Sequence, residues 1–138
     1  MIDMNTDQIL NALKDCEEFP AEYFSDENVN IVEYLSDLLN THKMTIKELI
    51  PKLGYERSYT YQMFNGTRVP TRVFVLRLSI VLGLDYEETQ RTLYVTRNTL
   101  LYPKIKFDAA IIYALERHFD EPKLEELLTE VGEKSLFW

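Results

Sequence analysis

The 138-residue sequence has one cysteine, Cys16. It has no partner for an internal disulfide, and an isolated thiol argues against a zinc site. The four glycines lie at least twelve residues apart, which excludes a glycine-rich phosphate-cradling loop. With only five prolines as well, a turn-rich β-sandwich is disfavoured. Two histidines, His42 and His118, leave little for metal or acid–base chemistry. Neither stands beside a nucleophile and an orienting acid, so no catalytic residue, metal or cofactor is expected. No run approaches the ~18 apolar residues of a membrane span. The start, Met1-Ile2-Asp3-Met4-Asn5, lacks the basic and apolar regions of a signal peptide. The expectation is a cytoplasmic protein with a reduced thiol and no membrane association.

Acid outweighs base, 23 residues to 15, for a net charge of −8. The distribution is uneven. Residues 1–30 balance at −7, residues 31–70 at +1, residues 71–106 at +3 and residues 107–138 at −5. A mildly basic middle between two acidic ends is compatible with a polyanion partner for the middle only.

The apolar periodicity is helical throughout. Ile9, Leu10 and Leu13 share one face in 5–14. Residues 17–28 read as a loop pinned by Phe19, Tyr23 and Phe24. Residues 30–41 carry a stripe of Ile31, Tyr34, Leu35, Leu38 and Leu39. Thr45-Ile46-Lys47-Glu48 is a capping box, in which Glu48 should reach back to the Thr45 N–H. Its helix should stop at Gly54, with Pro51 tightening the last turn. Further helices are expected over 56–65, ended by Asn65-Gly66, and over 72–82, capped by Thr71 and ended by Gly83. A second capping box at Asp85–Glu88 opens a helix to about Arg97, and two more are expected over 107–118 and from Asp120 to Gly132. The fold class is therefore all-α.

A faint internal echo links Asp85, Leu93 and Leu101 to Asp120, Leu128 and Leu136 at an offset of 35 residues. It suggests two helical hairpins, each closed by a Leu-aromatic plug, Leu101-Tyr102 and Leu136-Phe137. Trp138 has no counterpart in that role, which makes it the candidate for contact between copies.

Residues 45–70 combine a short capped helix ending in glycine, a turn of about three residues, and a second short helix ending at Asn65-Gly66. This is helix-turn-helix spacing. The segment Thr45-Ile-Lys-Glu-Leu-Ile-Pro-Lys-Leu-Gly54-Tyr-Glu-Arg-Ser-Tyr-Thr-Tyr-Gln-Met-Phe-Asn65-Gly66-Thr-Arg68-Val-Pro70 resembles the XRE family, the Cro and lambda-repressor-like helix-turn-helix proteins. The likeness continues to Leu82-Gly83-Leu84 and covers about residues 29–84. It implies a lambda-repressor-like core over 29–97, preceded by an acidic segment (1–28) and followed by a C-terminal helical extension packed on it (98–138).

The resemblance also implies a sequence-specific transcriptional regulator that binds double-stranded DNA as a homodimer. The helix from Glu56 would be its recognition helix. Arg57, Ser58, Tyr61 and Gln62 would face base edges, with Asn65, Thr67 and Arg68 on phosphate. Thr45 and Lys47 would sit over the backbone, and Thr60 and Met63 would point inward. The chain departs from the family pattern at Ile46, at Ile50-Pro51, at Thr60, and at Glu56, an acid placed toward phosphate. Two readings of the residues therefore stand side by side: a DNA-binding regulator, and an adaptor that uses the same scaffold to bind a protein. The acidic ends are candidates for the protein contact, and the segment 1–27 is a candidate restraint on DNA binding. For Arg57, pairing with Glu56 on a solvated face is an equal alternative to a base contact.

Overall fold

Four of the described helices begin where a side-chain oxygen meets a free backbone N–H. Thr45, Thr71, Asp85 and Asp120 each accept the N–H three residues on, from Glu48, Phe74, Glu88 and Lys123. A cap of this kind contributes about 1 kcal/mol. The computed structural model describes residues 30–137. The expected helix over 5–14, the loop over 17–28, Cys16 and Trp138 lie outside the described residues.

Among the described residues there are seven helices and no strand: α1 (Ile31–Thr41), α2 (Ile46–Leu53), α3 (Arg57–Asn65), α4 (Arg72–Leu82), α5 (Tyr86–Val95), α6 (Lys106–Glu116) and α7 (Glu121–Glu130). The all-α expectation is met, and helix ends fall within about two residues of those read from the sequence. Residues 31–137 group as one unit.

Two hydrophobic clusters share α4. Phe74, Leu78 and Leu82 join Leu35, Leu38 and Leu39 of α1, Leu49 and Leu53 of α2, and Met63 and Phe64 of α3. Val75, Leu76 and Ile80 turn the other way, to Leu93 of α5, Ile111 and Leu115 of α6, and Leu124 and Leu128 of α7. A helix buried on both sides needs apolar residues all round, and Arg72–Leu82 supplies them. Buried hydroxyls among these helices bond back to the carbonyl four residues earlier: Thr60 to Glu56, Ser79 to Val75, Thr89 to Asp85, and Thr92 to Glu88, at 2.8–3.0 Å. That is how polar side chains enter the core without an unmade bond.

Both glutamates of the two capping boxes depart from the expected reach to a backbone N–H. Glu48 accepts from the Thr45 hydroxyl instead, at 3.1 Å. Glu88 is drawn to His42 Nε2 at 2.9 Å, tying the end of α1 to the start of α5. A cross-helix partner thus takes the carboxylate that the local pattern assigned to the cap.

The echo is a structural repeat, and the offset of 35 extends back from Asp85 and Asp120 into the helices before them. Leu84 N–H closes on Ser79 O as Phe119 N–H closes on Ala114 O, both at 2.9 Å. Asn98 closes on Leu93 and Glu133 on Leu128, at 2.8 and 2.9 Å. Ile80 therefore matches Leu115. At matched positions on α5 and α7, Gln90 Oε1 accepts the Leu101 N–H at 2.8 Å and Glu125 Oε1 accepts the Leu136 N–H at 3.1 Å. Leu101, Leu136 and Phe137 are buried as plugs, whereas Tyr102 is 53% exposed. Only the second plug has a buried aromatic ring.

The turns that close these helices need left-handed backbone. Gly83 and Gly132 provide it, but Lys43, Arg97 and His118 hold φ of 54°, 61° and 53° at the corresponding places. For a residue with a Cβ this conformation costs on the order of 1 kcal/mol. Hence His118→Gly and Lys43→Gly should each raise unfolding free energy by about 0.5–1 kcal/mol in urea denaturation. The matched change Gly83→Ala should lower it by about 1 kcal/mol through backbone strain alone, since no atom lies within 4 Å of the added Cβ.

Candidate nucleic-acid interface

Within residues 45–70 two short helices are joined by a tight turn. α2 ends at Leu53, Gly54 turns the chain at φ 81°, and α3 begins after Glu56. The Leu53 carbonyl, left free by the end of α2, accepts from Arg77 Nη1 of α4 at 3.0 Å. The Arg77 guanidinium also lies over Tyr55, 4.5 Å from the ring centre. Tyr55 in turn packs on Tyr59 and Phe74. Burial pushes the Tyr55 phenol above its ordinary pKa against the opposing pull of Arg77, so the ring stays neutral and serves packing.

α3 presents two faces. Thr60, Met63 and Phe64 are buried, with Thr60 and Met63 inward as expected. Arg57, Ser58 and Asn65 are exposed, and Tyr61 and Gln62 are half-buried on the side away from the core. Positions 58, 61, 62 and 65 are one turn apart along the helix, so they line one outward stripe with Arg57 at its N-terminal end.

The stripe is organised by its own contacts. Arg57 lies over the Tyr61 ring at 5.5 Å. It forms no ion pair with a described residue, so the alternative pairing with Glu56 is not present. Arg68 folds back on α3. Its Nε donates to Gln62 Oε1, its backbone N–H donates to the Gln62 carbonyl at 3.1 Å, and its guanidinium covers Tyr59 at 5.4 Å. The sequence assigned Gln62 to a base and Arg68 to phosphate as separate contacts. The structure joins them, so a base meeting Gln62 would find its amide nitrogen free and its oxygen held. Thr67 N–H donates to Asn65 Oδ1 at 2.9 Å, an Asx turn that sets the exit loop.

Thr45 and Lys47 are exposed at the start of α2, as is Lys52 in its last turn. A Cβ on Gly66 would come within 2.9 Å of Val32 Cγ2, so α1 presses close on this exit and only glycine fits there. No acidic residue occurs between Arg57 and Leu84. Glu48 and Glu56, in the first turn of α2 and at the N-cap of α3, are both exposed.

Neither Arg77 nor the role of Tyr59 under Arg68 was singled out from the sequence. The available signal was Arg77 itself, a cation amid an otherwise apolar helix face. Among the described residues no cluster of three or more His, Cys, Asp or Glu could hold a metal, and no helix is long and apolar enough to cross a membrane. No protein family, curated protein or solved structure matches the chain.

Glu56 occupies the N-cap of α3 with extended backbone but makes no side-chain cap bond. Glu56→Ser should supply the missing acceptor and raise stability by about 0.5–1 kcal/mol, checked by urea unfolding.

Proposed function

We propose that the chain is a sequence-specific DNA-binding transcriptional regulator with a lambda-repressor-like helix-turn-helix core of the XRE type, formed by α1 to α5. The observation that carries this reading is the outward stripe of α3. Arg57, Ser58, Tyr61, Gln62 and Asn65 occupy it, behind a glycine turn, in a stretch without a carboxylate from Arg57 to Leu84. In this reading the N-terminal half of α3 enters the major groove. The Arg57 guanidinium is suited to guanine O6 and N7, and the Gln62 amide nitrogen to an acceptor on a base edge. Thr45, Lys47, Asn65, Thr67 and Arg68 contact phosphate and fix the register. Arg68 has a second task, since it orients Gln62. Binding needs no cofactor and no reaction, and regulation follows from occlusion of, or recruitment at, the bound site by a protein of the cytoplasm. Two copies on paired half-sites would extend the recognised sequence.

The adaptor reading is favoured by one specific feature, the two exposed glutamates at the starts of α2 and α3. They lower the potential where phosphate would lie.

Selection of bound duplexes from a random pool, followed by titration of variants, separates the two. Arg57→Ala and Gln62→Ala should each weaken the selected site by about 1–3 kcal/mol and relax one base position. Lys47→Ala should weaken all sequences alike and lower the salt slope by about 1. An unaltered site affinity in the Arg57/Gln62 double variant would contradict the regulator reading.

A further inference from the structure

Seven large apolar side chains are exposed among the described residues, and five of them sit on segments held together by one arginine. They are Val69, Val73, Leu100, Tyr102 and Ile105, with Val69 at 64% exposure. Arg72, at the start of α4, donates to the Thr99 and Leu100 carbonyls at 2.8 and 3.2 Å, and to Asp108 Oδ2 at 2.9 Å. The same carboxylate oxygen accepts the Tyr102 N–H at 2.9 Å, and the Ile105 N–H closes on the Tyr102 carbonyl at 3.0 Å. Asn98 Nδ2 reaches the Pro70 carbonyl at 3.0 Å. The start of α4 and the connector from α5 to α6 are thereby fastened into one surface, and its apolar side chains stand on a fixed backbone.

The exposed charges on these segments have one sign. No acidic residue occurs from Thr89 to Phe107. Arg97, Lys104 and Lys106 are exposed and form no ion pair with a described residue. The one carboxylate built into the surface, Asp108, is 2% exposed and neutralised by Arg72.

Three kinds of occupant can be weighed by chemistry. A second copy docking face to face would set Arg97, Lys104 and Lys106 against their own equivalents, like charge on like. Duplex DNA would satisfy the cations but gains little from Val69, Val73, Leu100 and Ile105, because such interfaces are polar. An acidic protein segment with apolar anchors satisfies both halves. Its hydrophobic side chains cover the exposed patch and its carboxylates meet the cations.

We propose that the surface formed by Val69, Val73 and the α5–α6 connector is a docking site for an acidic, apolar-anchored segment of a partner protein. The site is independent of whether α3 reads DNA. Arg97, Lys104 and Lys106 set the charge preference, and Leu100, Tyr102 and Ile105 form the apolar floor.

Random peptides displayed on phage, selected against the full chain, test this directly. The expected winners carry net negative charge together with large apolar or aromatic residues. As synthetic peptides they should bind more weakly as salt rises. Tyr102→Ser/Ile105→Ser and Arg97→Glu/Lys104→Glu should each weaken them about tenfold or more. The substituted side chains are exposed, and Ile105 is the uncapped N-cap of α6, where serine supplies an acceptor. Neither variant should therefore melt below the wild type, and a circular-dichroism melt verifies this. Winners without acidic bias would overturn the proposal, as would peptides that bind both double variants as tightly as the wild type. So would variants that leave peptide binding intact while abolishing a sedimenting dimer or weakening duplex DNA. Those last outcomes would assign the surface to a second copy or to DNA.

Discussion

The Arg77 guanidinium bonds to both halves of the described structure from the helix that they share. It lies between the Tyr55 and Phe137 rings, 4.5 and 5.4 Å from their centres. Its Nη1 donates to the Leu53 carbonyl at 3.0 Å, and its Nε donates to the Leu136 carbonyl at 2.9 Å. One side chain therefore satisfies the open end of α2, on the helix-turn-helix side, and the open end of the last hairpin, on the other. A buried carbonyl left without a donor costs about 1–3 kcal/mol. The interaction also explains why α4 tolerates a cation on a surface that is otherwise apolar, since the charge is shared among two carbonyls and two π faces. Arg72, one turn and a half earlier on α4, does the same for the α5–α6 connector through Thr99, Leu100 and Asp108. α4 supplies the apolar packing of both clusters and both of these polar pins.

This arrangement has a consequence for the outward face of α3. That face rests on Met63 and Phe64, which pack in the cluster with Phe74 and Leu78 of α4. The C-terminal hairpins rest on Val75, Leu76 and Ile80 of the same helix. A load on the connector surface around Leu100 and Tyr102 and a load on α3 thus meet at α4. A rigid shared helix is suited to holding a reader in a fixed relation to a partner-binding surface. The DNA-facing and partner-facing proposals stand on different residues and can fail separately.

Much of the fold was legible because the signals were local. Thr45, Thr71, Asp85 and Asp120 cap as their spacing dictates, and Gly54, Gly66 and Gly83 take the left-handed conformation that ends a helix. What stayed hidden was long-range. Glu88 left its cap for His42, 46 residues away in sequence. The ends of α1, α5 and α6 use left-handed Lys43, Arg97 and His118, residue types that give no local sign of that role. The repeat showed only three identities from Asp85 onward, and Gln90 and Glu125 do one job with two different side chains. Arg57, Ser58, Tyr61 and Gln62 were expected to face outward and are exposed or half-buried, but the Arg68–Gln62 contact required the loop after α3 to fold back. No periodicity encodes such a return.

The most direct test of this account is native-state hydrogen exchange on the wild type and on Arg77→Met, which keeps the apolar stem and removes both donors. In the wild type, the slowest amides of α3 and of α6 should share one opening free energy, as one cooperative unit does. In Arg77→Met the account predicts a loss of about 2–4 kcal/mol in global stability. It also predicts a split, with amides near Leu136 and Phe137 opening more easily than those of α3. Unchanged stability, with α3 and α6 still opening together, would contradict the claim that Arg77 joins the two halves.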